Sequence, residues 1–324
     1  MRDRSLDIGK GIAILFVYLG HSIIYHPIIL GNIPWCHILE RFIVSFNLPM
    51  FFIISGYLFS KTSKSTIEIY KGKTQRILFP YLLTMAVIIS MKLVLPTSMS
   101  YNESVQGGIR AMISNALLYG GDRWFVYTLY IIFLILIPIR SWLKNKWFDI
   151  GLIIVLITLF FLVPLPEFLA LNKVCVYMVF FISGYALNKY YLQIMALKYW
   201  WAIYVVFIVL NLSLIEFLSK LPFVFRFILP FSGTLAMMTL AFQVEKSIKK
   251  SKVVQYLEYC GKYSLQFYLF TFCYPLIRVF IVSILHITNP LIIIISVFIL
   301  QLIAITIIVE VTRRIKWLKI PCGY

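Results

Sequence analysis

Ionisable and hydroxyl-bearing side chains recur within an otherwise apolar stretch near the N-terminus. Asp7, Lys10, Tyr18, His21 and Tyr25 follow one another at helical spacing, so a helix would carry all five on one face. An imidazole titrates near neutrality and can take a proton from an attacking alcohol, which makes His21 a candidate general base. Lys10 would lie roughly 16 Å before it along the helix. The alternative for His21 is a neutral side chain that hydrogen-bonds a neighbouring helix.

The composition requires the helix that carries these residues to lie in a membrane. Of the 324 residues, 61% are hydrophobic and 13% are charged, whereas a soluble domain has about 45–50% and about 25%. So much apolar surface must be exposed to membrane lipids. Ionisable side chains inside a bilayer rarely face lipid, so we expect the stripe from Asp7 to Tyr25 to face the protein interior or a wet cavity.

Apolar runs divide the chain into ten candidate transmembrane helices. Backbone groups in lipid need helices, and no run alternates as a barrel strand does. We therefore predict an all-α, polytopic membrane protein with about ten transmembrane helices. We expect a single membrane-embedded domain over 1–324, without a fused extracytoplasmic domain. The runs are 8–30, 38–60, 77–95, 124–139, 148–166, 174–188, 199–218, 223–243, 263–284 and 291–309.

The basic residues orient the chain and argue against a nucleic-acid ligand. Of the 30 lysines and arginines, 22 lie in the N-terminus and alternate loops, six lie in the intervening loops, and Lys92 and Arg278 lie inside helices. Since cytoplasmic loops are enriched in basic residues, both termini are predicted to be cytoplasmic. The net charge of +18 therefore reflects membrane orientation, and we expect no nucleic-acid partner.

Two short stretches echo one another. "ISGYLFSK" at 54–61 and "ISGYALNK" at 182–189 share a small Ser-Gly pair, a tyrosine and a terminal lysine. The favoured interpretation is close helix packing at the small residues, with the tyrosine at the interface and a cytoplasmic lysine. One short match is too little to predict an internal repeat.

Four stretches, taken in order, resemble one family of membrane enzymes. "RSLDIGKGIAILFVYLGH" resembles the opening helix of the acyltransferase-3 family, which O-acylates cell-surface sugars, with ten residues between Lys10 and His21. "FNLPMFFIISGYLF" resembles the family's second helix, although Asn47 replaces a frequent histidine, so a second catalytic histidine is absent there. "KTQRILFPYLL" resembles the basic pair and proline that open the third helix, and "DRWFVYTLY" resembles a Trp-Phe helix entry.

This resemblance implies transfer of an acyl group, usually acetyl, from cytoplasmic acyl-CoA to a glycan hydroxyl. Acetyl-CoA is then the expected donor, and the acceptor is a surface or lipid-linked glycan such as O-antigen, capsule or exopolysaccharide. The implied location is the inner membrane of a bacterium. His21 would act as the base or would itself carry the acyl group transiently. We expect direct transfer to the acceptor rather than completion by a separate partner.

The resemblance also implies residues for the donor and the acceptor. Lys73 and Arg76 would suit the phosphates of CoA, with Arg4, Asp7 and Lys10 at the cytoplasmic mouth. The alternatives are helix-start electrostatics and attraction to anionic lipid. The candidates for acceptor binding are Asn47, Glu103, Asp122, Arg123, Trp124 and Arg278. A solvated outer loop is the alternative for several of these.

Two other classes of membrane protein fit the composition. A transporter or flippase for a polysaccharide precursor would usually place carboxylates mid-membrane, but all 12 Asp and Glu lie in loops or near helix ends. A polysaccharide polymerase also has many helices and an outer loop, but the spacing of Lys10 and His21 favours acyl transfer. The five cysteines lack metal or redox spacing, so we expect free thiols and no metal.

Overall fold

The computed structural model describes residues 3–24, 30–94, 108–212, 221–248, 251–319 and 321–324. Within these ranges the chain is helical nearly throughout and has no β-strand. The predicted all-α class is therefore confirmed. All five cysteines are free thiols, as expected.

Sixteen α-helices follow one another along these ranges. They are α1 (Arg4–Ile24), α2 (Pro34–Val44), α3 (Asn47–Ser60), α4 (Thr66–Lys73), α5 (Phe79–Val94), α6 (Gly108–Tyr119), α7 (Trp124–Leu136), α8 (Lys146–Leu162), α9 (Leu171–Ala186), α10 (Tyr191–Met195), α11 (Trp200–Leu212), α12 (Leu229–Ser247), α13 (Lys252–Lys262), α14 (Ser264–Leu269), α15 (Tyr274–Val279) and α16 (Pro290–Arg314).

Among the described residues, seven helical stretches are long and apolar enough to cross a membrane. Each coincides with one of the ten predicted runs, so the chain is a multi-pass membrane protein. The other three runs coincide with the shorter helices α7, α8 and α11, and the count of ten stays a prediction. The seven stretches are Arg4–Ile24, Pro34–Ser60, Thr66–Val94, Phe168–Ala186, Arg226–Ser247, Ser264–Ile284 and Pro290–Arg314.

The chain forms two compact units. The predicted single domain over 1–324 stays a prediction. Of the described residues, the first unit comprises those within Met1–Ile24, Leu30–Lys61 and Phe180–Ser264, and the second comprises those within Thr62–Val179 and Leu265–Tyr324.

In the first unit, α1 is enclosed by its neighbours and packs most closely on α13. No residue of α1 is exposed. A Cβ atom at Gly11 would lie 2.0 Å from the carbonyl oxygen of Leu257, and one at Gly261 would lie 1.6 Å from that of Asp7. Any larger side chain would therefore push the two backbones apart, and the glycines fix how α13 lies on α1.

The two echoed stretches pack against each other in the first unit. A Cβ atom at Gly56 would lie 1.9 Å from the carbonyl oxygen of Phe181, and one at Gly184 would lie 2.0 Å from that of Ile53. The contact is reciprocal: Gly56 lies against Phe181, three residues before Gly184, and Gly184 lies against Ile53, three residues before Gly56. The predicted role of the Ser-Gly pairs in close helix packing is confirmed.

In the second unit, α4 and α5 form one continuous stretch through a π-helical turn, Thr74–Leu78. Pro80 follows this turn and has no N–H to offer the carbonyl of Arg76, four residues earlier. A π-turn is a common way to absorb such a break. It places the candidate residues Lys73 and Arg76 at the distorted part of the helix.

Candidate active site

Helix α1 begins at a carboxylate cap. The Oδ1 atom of Asp3 accepts hydrogen bonds from the backbone N–H groups of Ser5, at 3.1 Å, and Leu6, at 3.4 Å. A side-chain acceptor here satisfies N–H groups that have no partner within the helix, and its negative charge suits the helix dipole. The cap fixes where α1 starts.

Two ion pairs lie in the first two turns of α1. Lys10 Nζ is 2.7 Å from Asp7 Oδ1, and the Asp7 side chain is only 6% exposed. Arg4 Nε donates to Glu258 Oε2 of α13 at 2.7 Å, at a more exposed position. A buried carboxylate needs a paired cation, so Asp7 and Lys10 hold each other in place. Arg4, in contrast, joins α1 to α13.

A hydrogen-bonded group of side chains surrounds the start of α1. The Ser5 hydroxyl donates to Asp3 Oδ1 at 2.6 Å and also shares a 2.9 Å hydrogen bond with the hydroxyl of Tyr191. The ring of Tyr191 packs on that of Tyr57, with 4.5 Å between centroids, and Lys61 donates to the Tyr57 hydroxyl. The geometry of this end of α1 thus depends on α3 and α10 as well as on α13.

The imidazole of His21 lies in the last turn of α1. The side chain is half-buried, and its Nδ1 atom is shielded from solvent. Between Lys10 and His21 on the same face, Ile14 and Tyr18 are both 0% exposed. The prediction that the stripe faces the protein interior is therefore confirmed for these residues, while Tyr25 lies outside the described residues.

Aromatic rings line the half of the first unit that packs on the later turns of α1. The rings of Phe16 and Phe46 meet edge to face with centroids 5.1 Å apart, and Phe46 meets Phe207 at 5.7 Å. Asn47 follows Phe46, is 5% exposed, and accepts the backbone N–H of Leu48 on its own Oδ1 at 2.7 Å. The candidate residue Asn47 is thus buried directly after Phe46, a member of this aromatic cluster.

The second unit carries the other candidate donor residues. Lys73 is half-buried, and its ammonium lies 3.7 Å from the ring centroid of Phe133 in α7. Next to it, the Thr74 hydroxyl shares a 3.0 Å hydrogen bond with that of Tyr130. Arg76 is exposed. Of the two cations, Lys73 thus contacts α7 and Arg76 lies on the surface.

The candidate acceptor residues that precede α7 are more buried than a solvated loop would be. Asp122 Oδ2 is 2.8 Å from the ammonium of Lys92, which supplies the partner that Lys92 needs in a membrane helix. Arg123 is 2% exposed, and its Nε donates to the carbonyl of Leu269 at 3.3 Å. The ring of Trp124 lies 4.8 Å from the ammonium of Lys173.

Arg278 is the second buried arginine of the second unit. It lies in α15 and is 0% exposed. Its predicted place inside a helix rather than a loop is confirmed. Glu103, the remaining candidate, lies outside the described residues. Within the described part of the chain, no cluster of histidine, cysteine and carboxylate side chains has the arrangement of a metal site.

A family model described as an acyltransferase domain matches residues 3–310, which include every candidate residue in both units. The chain belongs to the acyltransferase-3 family. No curated protein and no solved structure matches the chain. As a member of the acyltransferase-3 family, the protein is an acyltransferase of the membrane.

For an acyltransferase, α1 offers different chemistry at its two ends. Its first turns carry cations held by carboxylates, which suit an anionic group. Its last turn carries an imidazole, which suits proton transfer. Both ends lie on one helix of the first unit, about 16 Å apart between Lys10 and His21. The helix therefore fixes the separation of the two groups.

The sequence prediction missed several residues that position the first turns of α1. Across the fold, Glu258 contacts Arg4 and Tyr191 contacts Ser5. Ser5 also bonds the nearby Asp3. The available signal was the apolar spacing of Val254, Leu257 and Gly261 within a basic segment, which is typical of a short amphipathic helix.

Proposed function

We propose that this acyltransferase moves an acyl group, most often acetyl, from cytoplasmic acyl-CoA to a hydroxyl of a glycan. The acceptor is a cell-surface or lipid-linked glycan of the O-antigen, capsule or exopolysaccharide type. Family membership supports acyl transfer. The choice of acetyl-CoA as donor and of a glycan oxygen as acceptor is the proposal.

One observation carries this proposal: the polar stripe of α1 lies inside the protein. A membrane helix that buries an aspartate–lysine pair at one end and a histidine at the other departs from the apolar pattern at a cost in free energy. Since no residue of α1 is exposed, lipid contact does not explain these side chains. A reaction along this helix does.

In the proposed reaction, His21 accepts the proton of the acceptor hydroxyl as its oxygen attacks the thioester carbonyl carbon. The new C–O bond forms, the C–S bond breaks, and CoA leaves as a thiolate that then takes up a proton. Loss of such a base typically lowers a rate by about 10²–10⁴-fold. Arg4 and Lys10, with Asp7 orienting Lys10, would contact the donor at the other end of α1.

The second unit carries further candidate residues for donor and acceptor binding. Lys73 and Arg76 are the proposed phosphate contacts on this unit, because one cation is anchored on α7 and the other is accessible. Asp122, Arg123 and Trp124 lie together before and at the start of α7 and are the proposed acceptor contacts of this unit, with Arg278 as a further candidate. Asn47 is the acceptor candidate of the first unit.

The proposed topology has ten transmembrane helices with both termini in the cytoplasm of a bacterium, in its inner membrane. The uneven distribution of lysine and arginine among the loops supports it. This orientation gives the Lys10 end of α1 access to cytoplasmic acyl-CoA and places His21 nearer the outer face, where a glycan acceptor is found.

The test is mass analysis of the surface polysaccharide from cells that carry the wild-type gene, His21→Ala or His37→Ala. His37 is the matched control, because it is an exposed histidine of the same unit. We expect His21→Ala to remove the acyl mass while the protein stays folded in the membrane, and His37→Ala to retain it.

Two outcomes would contradict the proposal. An unchanged acylation pattern with His21→Ala would reject His21 as the base. Loss of the polysaccharide itself, rather than of its acyl groups, would favour a transporter, flippase or polymerase.

A further inference from the structure

Helix α13 carries three tyrosines that the proposed reaction does not use. Tyr256, Tyr259 and Tyr263 form what we term the tyrosine ladder. The rings of Tyr256 and Tyr259 are stacked, with centroids 6.1 Å apart and an interplanar angle of 18°. Tyr259 meets Tyr263 edge to face at 5.0 Å. All three side chains are half-buried, so ring surface remains accessible.

The ladder lies on the face of α13 that points away from α1. Val254 and Leu257 pack with the core of α1, and Gly261 abuts the backbone of Asp7. The tyrosines lie between these positions at helical spacing and therefore occupy the other side. The ladder therefore lies outside the contact between α13 and α1, with part of each ring accessible.

Positive charge brackets the ladder. Lys252 and Lys262 are exposed at the two ends of α13, about 15 Å apart along the axis. Lys262 Nζ lies 5.3 Å from the ring centroid of Tyr263. The single carboxylate of α13, Glu258, is engaged with Arg4. This face is therefore aromatic and cationic, which is the combination that binds a nucleotide base together with phosphates.

The ladder is rigidly linked to the donor end of α1. Glu258 pairs with Arg4 at 2.7 Å. At Gly261 the backbones of α13 and α1 are so close that no side chain fits between them. A ligand on the ladder would therefore be held at a fixed position relative to Lys10, within the same unit.

We propose that the tyrosine ladder is the stacking surface for the adenine ring of acyl-CoA, with Lys252 and Lys262 contacting its phosphates. This inference rests on the proposed function, because it presupposes an acyl-CoA donor. Stacking of a base on an aromatic side chain is sequence-tolerant and does not require a buried pocket. The other use of such rings is to anchor a helix at the membrane surface.

The experiment measures binding by calorimetry to the purified protein in lipid nanodiscs. The probes are CoA, adenosine 3′,5′-bisphosphate, which is the nucleotide half of CoA, and pantetheine, which lacks it. The variants are Tyr259→Ala, Tyr259→Phe and Lys262→Gln. Tyr199→Ala is the matched control, because Tyr199 is 62% exposed and also lies beside a lysine, Lys198.

We expect Tyr259→Ala to weaken binding of CoA and of the bisphosphate about tenfold, the effect of removing one stacked base contact. Tyr259→Phe keeps the ring and should bind both within about twofold of wild type. Lys262→Gln should weaken binding of the bisphosphate and make that binding less dependent on salt concentration. Tyr199→Ala should leave all three probes unchanged, and no variant should alter pantetheine binding.

Other outcomes separate the inference from the proposed function. Wild-type protein that does not bind CoA would overturn both. Wild-type protein that binds CoA, with equal affinity in Tyr259→Ala, would overturn the ladder alone. Equal weakening of pantetheine and bisphosphate by Tyr259→Ala would show a packing role. Poorer retention of Tyr259→Ala in the nanodisc with unchanged nucleotide affinity would show a membrane anchor.

Discussion

Helices α1 and α16 are both long enough to cross a membrane, yet their surroundings are opposite. In one apolar stretch of each, 61% of the residues of α1 are buried inside the protein, against 33% for α16. The buried residues of α16 form a single stripe from Ile293 through Val297 and Gln301 to Val309. The other faces of α16 expose isoleucine and leucine.

The difference follows from composition. Helix α16 is a nearly continuous run of branched apolar residues, which suit contact with lipid on most sides. Helix α1 mixes glycines with Asp7, Lys10 and His21, which suit close contact with other helices and exclude contact with lipid. Of these two spanning helices, the less apolar one is enclosed within its unit, and it is also the helix that carries the proposed chemistry.

The largest difference in stability between α1 and α16 is expected when the cation is removed from a matching ion pair in each helix. Both helices have a carboxylate paired at i,i+3 with a 2.7 Å contact, Asp7–Lys10 in α1 and Glu310–Arg313 in α16. Lys10→Met leaves a buried carboxylate without its cation and should cost about 3–5 kcal/mol. Arg313→Met removes a more exposed pair and should cost about 0–1 kcal/mol.

Thermal unfolding of the two variants in the same detergent measures this difference. Equal losses of stability from Lys10→Met and Arg313→Met would show that α1 is no more enclosed than α16. Because Lys10 is also a proposed donor contact, CoA affinity is measured separately.

A second test makes the same apolar deletion in both helices. Ile14 is 0% exposed in α1, whereas Ile303 is 52% exposed in α16. Ile14→Ala should open a cavity and lower stability by about 2–5 kcal/mol. Ile303→Ala should stay within about 0.5 kcal/mol of wild type, because lipid fills the space that an outward side chain leaves. The measurement is the thermal unfolding midpoint of each variant. A larger loss of stability from Ile303→Ala than from Ile14→Ala would contradict the view that this face of α16 contacts lipid.

The smallest expected effect concerns glycine. Gly261→Ala places a methyl group 1.6 Å from the Asp7 carbonyl oxygen and should cost about 1–3 kcal/mol as the helices move apart. Gly151→Ala in α8 is the control, since nothing lies within 4 Å of its added Cβ. Purified yield and thermal midpoint should fall only for Gly261→Ala, and similar values for both would argue against close packing of α1 on α13.

Much of this architecture could be predicted from the sequence because lipid makes simple demands. Seven of the predicted apolar runs coincide with helices that are long and apolar enough to cross a membrane. The inward face of α1 followed from the spacing of Asp7, Tyr18 and His21. The echo at 54–61 and 182–189 was interpreted correctly as close packing, since small residues are the common means of bringing membrane helices together.

The remaining features depend on contacts between distant residues. Helix α13 is short and partly polar, so its position on α1 depends on Gly11 and Gly261 meeting across the fold. The partner of Lys92 is Asp122, thirty residues away, and sequence spacing cannot reveal such a pair. The run at 263–284 is broken into α14, α15 and short turns around Pro275, which apolar content alone does not predict.

The central claim is that acyl transfer uses the enclosed stripe of α1. The most direct measurement supplies acetyl-CoA labelled in its acetyl group to the purified protein in proteoliposomes, together with the glycan acceptor from the same cells. Wild type and His37→Ala should transfer label to the glycan at similar rates, and His21→Ala should be slower by about 10²–10⁴-fold. Transfer by folded His21→Ala at the wild-type rate would contradict the account.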